Sequence, residues 1–173
     1  MRNSNKMFLL RSSPAGAVQL FGTNISTSFG VSSTQRSGLV DGNMALSSYS
    51  NAPNTVVTAN SQTVWVRVTL LTLTPINRIA FWNYYDGRTY CNISLSVSST
   101  CLFAGEQTTL FSCTSFSSCP TAGPTLTSTG YTVSFQAIMN ALCVQWTMGL
   151  SSISRGVEFL ELSLGSVPGT QCH

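Results

Sequence analysis

Hydrophobic and polar residues alternate most regularly between Val64 and Val97, a stretch that contains three predicted strands. The first strand covers Val64–Leu70, where every second residue is aliphatic and Trp65, Arg67 and Thr69 take the positions between. An alternation with a period of two is the pattern of a strand whose two faces meet different surroundings. The pattern therefore predicts an aliphatic face toward a core and a mixed polar face away from it.

Two breaks divide this stretch. Thr74-Pro75 is predicted to end the first strand, because proline cannot donate a ladder hydrogen bond. Ile76–Trp82 is predicted as the second strand, since it is rich in β-branched and aromatic residues. Asp86-Gly87 predicts a tight turn, and Cys91–Ser98 follows as a third strand whose serine and asparagine face is exposed to solvent.

The remaining strands are shorter or less regular, and no helix is predicted. They are expected at Val18–Phe21, Asn24–Val31, Tyr131–Met139, Leu142–Met148 and Val157–Leu164. Short strands separated by turn signals favour an all-β fold, an antiparallel β-sandwich or jelly roll of about eight strands stapled by disulfides. The predicted organisation is an N-terminal arm (1–17), one sandwich domain (18–165) and a C-terminal tail (166–173).

The composition is that of a surface protein with few charges. Charged residues make up 8% of the 173 residues, where about 25% is typical, and serine and threonine take their place on the polar faces. This profile favours an extracellular or cell-surface location. Eight basic and five acidic residues give a formal net charge of +3 without a basic cluster, which disfavours nucleic acid as a partner. No apolar run reaches the ~20 residues that a membrane span needs.

Six cysteines give the chain a possible disulfide framework. They are Cys91, Cys101, Cys113, Cys119, Cys143 and Cys172. An even number in a chain of this composition indicates an oxidising compartment, although six cysteines allow fifteen complete pairings. Cys91/Cys101 and Cys113/Cys119 are attractive local pairs, which leaves Cys143/Cys172. The alternative is a set of buried free thiols in a reducing compartment. Zinc is disfavoured, since no Cys-x2-Cys occurs and the lone histidine is His173.

Two further features bear on the compartment. Asn24-Ile25-Ser26 and Asn92-Ile93-Ser94 are N-glycosylation sequons, which apply only to a secreted chain. The first residues lack a convincing signal peptide, because Arg11 interrupts the apolar stretch Met7–Leu10. The numbering could begin inside a longer precursor, export could be unusual, or the protein could be intracellular.

The best candidate for a binding surface is the polar tip between the second and third predicted strands. It offers planar polar groups and aromatic rings in one loop, through Asn83, Tyr84, Tyr85, Asp86 and Arg88. Sugar recognition needs both, because hydroxyl pairs require planar polar partners and the apolar side of a pyranose packs on a ring. The alternative is a hairpin tip whose tyrosines cap the sheet. The three tryptophans lie within strand patterns and are predicted as core: Trp65, Trp82 and Trp146.

A second candidate site is the loop Ser37–Asn43, which places oxygen-bearing side chains around two glycines. Such oxygen atoms are the ligands that Ca²⁺ prefers, so the loop could hold this ion. With Asp41 as its single carboxylate the site would be weak, and a plain Asp-Gly turn is the equal alternative.

The sequence offers no catalytic constellation. It has no internal histidine, and its five carboxylates are scattered along the chain. A triad would have to recruit His173, and a glycosidase needs two carboxylates that face each other across a bond. We therefore predict that the protein is not an enzyme.

The order of several motifs resembles the galactose-binding-like jelly roll of discoidin, coagulation factor 5/8 type C and fucolectin domains. The similarity covers about Ser28–Gly165 and rests on Val-Asp-Gly-Asn (Val40–Asn43), Trp-Val-x-Val-x-Leu (Trp65–Leu70), Pro-Ile-x-x-Ile-x-Phe-Trp-Asn (Pro75–Asn83), the Asn92–Ser98 strand, Leu-Cys-Val-Gln-Trp (Leu142–Trp146) and the closing Val157–Gly165. The family's aspartate in the Trp-x-Val-Asp-Leu strand is absent here. Its fucose-binding triad of one histidine and two arginines is also incomplete, although Arg88 falls near the place of one arginine.

The resemblance implies a fold, a metal site and a ligand class. In fucolectin-type members, calcium uses the Asp-Gly-Asn loop and a glutamate of the last strand, which correspond to Asp41 and Asn43 with either Glu158 or Glu161. The expected function is a non-catalytic extracellular module that binds glycans or cell-surface glycoproteins. The alternative is a structural subunit of an extracellular filament, coat or appendage, which assembles with itself or with other proteins through its arms and sheet edges.

Overall fold

The structure, a computed structural model, describes residues 17–18, 24–30, 32–40, 56–57, 63–83, 89–120, 131–149 and 157–165. Within these ranges it contains eight strands and one short helix: β1 (Ala17–Val18), β2 (Ile25–Thr27), α1 (Ser33–Gly38), β3 (Val56–Val57), β4 (Val64–Asn83), β5 (Ile93–Ser98), β6 (Thr108–Cys113), β7 (Tyr131–Met148) and β8 (Glu158–Gly165). Every strand pair in these ranges is antiparallel. The predicted all-β antiparallel sandwich is confirmed.

Two long strands, β4 and β7, form the spine of the sandwich. They pair in two segments, from Val64 opposite Met148 to Thr69 opposite Cys143 and from Thr74 opposite Ala141 to Phe81 opposite Tyr131. The register shifts twice, between Thr69 and Thr74 and again between Ile76 and Arg78 of β4. Irregularities of this kind bend a strand, so each long strand contributes one half to each layer.

The other strands complete the two layers. The first layer contains the first half of β4 and the second half of β7, with β2 paired to β4 and with β5 and β6 following on the β7 side. The second layer contains the second half of β4, the first half of β7 and β8, with β1 and β3 paired to β8. The core lies between these layers.

Aromatic rings from both layers meet in the core. The ring of Trp146, in the first layer, lies 5.1 Å from that of Phe81 and 4.6 Å edge-on from that of Phe159, both in the second layer. Pairs in such geometry contribute about 0.5–1.5 kcal/mol beyond the burial of their area. The aliphatic face of β4, predicted from its alternation, is buried as expected: Val64, Val66, Val68 and Leu70.

The predicted break at Thr74-Pro75 is wrong. Pro75 lies inside β4, opposite Asn140 and between the two register shifts. Proline is tolerated there because the ladder is already irregular and the residue is exposed. The two strands predicted around Asn140 are likewise one strand, β7.

The helix α1 was not predicted, although the sequence carries its start signal. The hydroxyl of Ser32 accepts a hydrogen bond from the N–H of Gln35, and the Gln35 side chain accepts one from the N–H of Ser32. This Ser-x-x-Gln capping box stabilises the first turn of a helix only six residues long.

The serine face of β5 is not exposed as predicted. Ser96 and Ser98 are buried, and the Ser96 hydroxyl hydrogen-bonds that of Thr109 on β6. Asn92, expected on the same strand face, precedes β5 in a left-handed conformation and is exposed. The neighbouring strand β6 covers Ser96, and the loop after β5 covers Ser98.

One of the three predicted disulfides is present, and the other two are wrong. Cys113–Cys119 is present, but Cys101 pairs with Cys143, and Cys91 is a buried free thiol. The predicted Cys91/Cys101 pair is excluded because β5 separates the two residues by six positions, about 20 Å of strand. The predicted Cys143/Cys172 pair is excluded because Cys143 is already bonded; Cys172 lies outside the described residues. Cys143 sits opposite Ser98 at the end of β5, so the next turn brings Cys101 within 5.2 Å (Cα–Cα).

The loop between β5 and β6 is organised around the carboxylate of Glu106. Its Oε1 accepts hydrogen bonds from the hydroxyls of Ser98 and Thr100 and from the N–H of Phe103, and Oε2 accepts one from the N–H of Ala104. These hydroxyls lower the pKa of Glu106 to about 2. The loop also holds Cys101 and Phe103 at positive φ, which costs free energy that the surrounding bonds must offset.

We expect the Cys101–Cys143 bond to stabilise the fold more than the Cys113–Cys119 bond. The separations are 42 and 6 residues, for which the chain-entropy model gives about 4 and about 2 kcal/mol. Urea unfolding of the two double serine variants, Cys101→Ser/Cys143→Ser and Cys113→Ser/Cys119→Ser, measures both losses. Equal losses would contradict the expectation that the longer closed loop gives the larger stabilisation.

We also expect Glu106 to make stability depend on acid. Because its folded pKa lies below the ordinary 4.5, its contribution is present above pH 4.5 and disappears as the pH falls toward 2. The difference in unfolding midpoint between wild type and Glu106→Gln should therefore shrink over this range. Gln107→Ala is the control, since it removes the acceptor of the Gly105 N–H without removing a titrating group. Its difference from wild type should stay constant, and a constant difference for Glu106→Gln would sink the idea.

Candidate functional site

The ends of several strands meet at one end of the sandwich, which we call the loop end. Each of β4 and β7 crosses the sandwich in one layer and returns in the other layer. Both ends of β4 (Val64 and Asn83) and both ends of β7 (Tyr131 and Met148) therefore lie at the loop end. The strand β5 also begins there, and the Gly149 N–H donates to the carbonyl of Cys91 at 2.9 Å. The loop predicted to bind a ligand therefore leaves the sandwich at this end.

Asn83 is the member of that predicted site that the structure describes. It is the last residue of β4, lies opposite Phe159 and is 1% exposed. Among the residues that the structure describes, neither its Oδ1 nor its Nδ2 has a hydrogen-bond partner. The other predicted ligand-binding residues, Tyr84, Tyr85, Asp86 and Arg88, lie outside the described residues.

The unpaired amide of Asn83 is energetically costly. A buried polar group without a partner costs about 1–3 kcal/mol, and most such groups in proteins are paired. The register shift between Trp82 and Asn83 fixes this residue where β4 leaves β8. The side chain is therefore held in place by the strand, and the described residues do not supply its hydrogen-bond partners.

The tryptophans divide between core and surface. Trp82 and Trp146 are buried, as predicted. The prediction for Trp65 is wrong, because this residue is only partly buried and lies on the face of β4 that points away from the core.

Trp65 belongs to an outward surface of the first layer that we call the Arg67 face. It is built on three rows of residues that lie opposite one another on β4, β7 and β5: Trp65–Thr147–Ser94, Arg67–Gln145–Ser96 and Thr69–Cys143–Ser98. Ser96, Ser98 and Cys143 are buried within these rows, and the other residues are partly exposed. The alternation that buries the valines of β4 places Trp65, Arg67 and Thr69 here. Hydroxyl and amide groups dominate the face.

Arg67 makes several contacts that sequence reasoning missed. Its Nε and Nη2 donate to Oε1 of Gln145 at 3.1 and 2.7 Å, and its Nη1 donates to the carbonyl of Cys101 at 3.2 Å. Its guanidinium carbon lies 4.6 Å from the ring centre of Trp65 and 4.2 Å from that of Phe103. Burial lowers the pKa of Arg67, while the charge of Glu106 opposes this shift.

The calcium site and the glycosylation of the two sequons stay predictions. Asp41 and Asn43 lie outside the described residues, and only the backbone of Glu158 and Glu161 is described, as part of β8. Within the described ranges, no three His, Cys, Asp or Glu side chains gather as a metal site.

Of the sequon residues, Asn92 is exposed and Asn24 is partly exposed. No helix in the described part of the chain is long and apolar enough to cross a membrane.

Comparisons by sequence give no match: no protein-family model and no curated protein matches the chain. Comparison with solved structures does give matches. A CBM32 module of AlyQ, solved in complex with 4,5-unsaturated mannuronic acid, has a TM-score of 0.60 at 16% identity and covers 87% of this chain and 98% of its own. Chitosan-binding module 1 of a chitosanase/glucanase from Paenibacillus sp. IK-5 has a TM-score of 0.56 at 14% identity, over 86% and 98% of the two chains.

A lectin shares the same architecture. The fucolectin from the serum of striped bass, Morone saxatilis, has a TM-score of 0.60 at 15% identity and covers 82% of this chain and 46% of its own. At these identities the likeness concerns the fold. The chain therefore shares the β-sandwich fold of these modules and this lectin, as the order of its motifs predicted.

Proposed function

We propose that the protein is a non-catalytic carbohydrate-binding module that takes its glycan at the loop end. The observation that carries this proposal is the buried, unpartnered amide of Asn83. An amide presents two donors and one acceptor oxygen in a plane, which suits a pair of sugar hydroxyls that both donate and accept. Bound sugar would supply the partners that the described protein groups leave out.

The residues that follow Asn83 in the chain fit the same ligand. Tyr84 and Tyr85 offer rings for the apolar side of a pyranose, and Asp86 and Arg88 offer charged groups for further hydroxyls. The fold adds support, since the similar structures include modules named for binding carbohydrate and a fucolectin. Fold alone does not fix function, so the proposal depends on the site.

The proposal contains no catalytic step. Glycoside hydrolysis needs two carboxylates that flank the scissile bond. Glu106 is the one acidic side chain in the described part of the chain, and its oxygens are occupied by four hydrogen bonds within its own loop. We assign this carboxylate to loop structure.

Calcium is part of the proposal, through Asp41, Asn43 and either Glu158 or Glu161. A backbone hydrogen bond of 2.8 Å from the Leu162 N–H to the Leu39 carbonyl supports it. This bond ties the chain just before Asp41 to the strand that carries both glutamates. Hard oxygen ligands of this kind suit Ca²⁺. An extracellular location is also proposed, and the two disulfides support it because such bonds persist in oxidising compartments.

The sharpest test replaces Asn83 by leucine, which has a similar shape and no polar atoms. Removing an unpaired buried amide should leave the free energy of unfolding unchanged or raise it, by up to about 1–3 kcal/mol. Glycan binding should fall at least about tenfold, because one or two hydrogen bonds to sugar are lost. A glycan array with the disulfide-intact protein identifies the ligand, and calorimetry and urea unfolding measure both effects.

Asn140→Leu is the matched control, because Asn140 is exposed and lies on β7 opposite Pro75, at the other end of the sandwich. It should leave glycan binding unchanged. If folded Asn83→Leu binds glycan as tightly as the wild type does, the glycan site does not lie at the loop end. If the folded wild type binds no glycan on the array, the proposed function is wrong and the structural-subunit alternative becomes the better hypothesis.

The calcium prediction has its own arm on the same array. Binding that disappears in EDTA and returns with Ca²⁺ is expected, together with a higher unfolding midpoint in Ca²⁺ because a ligand of the folded state stabilises it. The same treatment of Asp41→Asn should show no calcium response. A wild-type midpoint and affinity that ignore both EDTA and Ca²⁺ would contradict the metal site and leave the glycan site untouched.

A further inference from the structure

We infer that the Arg67 face is a second saccharide site, specific for a sugar that carries a carboxylate, such as a uronate residue. The inference rests on the proposed function for the ligand class, a saccharide. It uses other residues on another surface, because Asn83 lies in the second layer and Arg67 points outward from the first.

The hydrogen bonds of Arg67 leave donors available. A guanidinium carries five N–H groups in one plane. Three of them donate to the Gln145 side chain and to the Cys101 carbonyl. One N–H on Nη1 and one on Nη2 therefore have no acceptor among the described residues. A carboxylate is a charged acceptor for guanidinium N–H groups of this kind.

The charge of Arg67 is also poorly matched. Both of its described acceptors are neutral, an amide and a backbone carbonyl. Glu106 acts on it through space, but the oxygens of that carboxylate are taken up by the Ser98 and Thr100 hydroxyls and by two backbone N–H groups. Partial burial disfavours a cation without an ionic partner, so an external carboxylate would be favoured here.

The guanidinium is held in a fixed orientation before any ligand arrives. The rings of Trp65 and Phe103 lie against it, at 4.6 and 4.2 Å from its central carbon. Phe103 is itself fixed, because the Cys101–Cys143 bond and Glu106 hold its loop on the sheet. Orientation in advance reduces the entropy lost on binding.

The surroundings of Arg67 select a saccharide from among acidic ligands. Trp65 is partly exposed and can pack against the apolar side of a pyranose. Thr147 and Ser94 continue its row with hydroxyl groups that suit sugar hydroxyls. Arg67 is the one cation on the three rows, whereas a nucleic acid is bound by several cations that track its phosphates.

The test titrates a trimer of α-1,4-linked galacturonate into the wild-type protein, and then the same trimer with its carboxylates methyl-esterified. NMR follows the indole N–H of Trp65 and the Nε–H of Arg67, and calorimetry gives the affinity. The acid should shift both signals and bind at least about tenfold more tightly than the ester, because only the acid offers a carboxylate to the guanidinium. This comparison needs no variant, so it does not depend on how a variant folds.

Variants separate this site from the loop end. Arg67→Lys should weaken the acid at least about tenfold, since lysine keeps the charge and loses the planar pair of donors. Arg78→Lys is the matched control, as Arg78 is an exposed arginine of β4 in the second layer, and it should change nothing. Asn83→Leu should leave the trimer affinity intact even where it abolishes glycan binding on the array.

Four outcomes would overturn the inference. They are equal affinity for acid and ester, loss of trimer binding in Asn83→Leu, no shift of the Trp65 and Arg67 signals at millimolar trimer, and equal shifts on adding inorganic sulfate, which would make the face a general oxyanion site. Since the loop-end glycan is read from the array and the trimer from these two signals, failure of one site leaves the other measurable.

Discussion

Trp146 lies where the two layers of the sandwich meet, and most of the structure depends on that contact. Its ring packs on Phe81 and Phe159 of the opposite layer and is fully buried. The contact exists because β4 and β7 bend together at their register shifts and return over themselves. The buried aliphatic residues of β4, β5, β7 and β8 surround this aromatic cluster and join the same two layers, whereas both disulfides lie within the first layer and its loops.

The same bend places the two candidate sites on different surfaces. Along the first half of β4 the alternation sends the valines inward and leaves Trp65 and Arg67 outside. Along the second half the strand ends at Asn83, buried where it separates from β8. One strand thus supplies an outward platform in one layer and an inward amide in the other. A ligand at either place would contact a side chain whose position the core already fixes.

Local sequence patterns predicted much of this structure. The remainder depends on how distant strands pair, which local patterns do not reveal. The strands around Val66 and Val144 and the all-β class followed from alternation, because a period of two is a property of neighbouring residues. The prediction at Pro75 was wrong because whether a proline breaks a strand depends on its pairing with the neighbouring strand. The pairing of β4 with β7 is already irregular at this point. The Cys101–Cys143 bond and the contacts of Arg67 join residues 34 to 78 positions apart, so spacing along the sequence could not reveal them.

Some polar groups in the described part of the chain are satisfied by the fold, and others are not. Glu106 has four hydrogen bonds, and Ser32 with Gln35 completes a capping box; both are explained by the fold they stabilise. Among the described residues, Asn83 has no partner for its amide, and Arg67 keeps two donors and a charge without an ionic acceptor. The buried Nε1 atoms of Trp82 and Trp146 and the Nε of Arg36 lack partners there as well. Under the two proposals, bound saccharide would supply the partners that Asn83 and Arg67 lack, and this would offset the cost of leaving such groups unpaired.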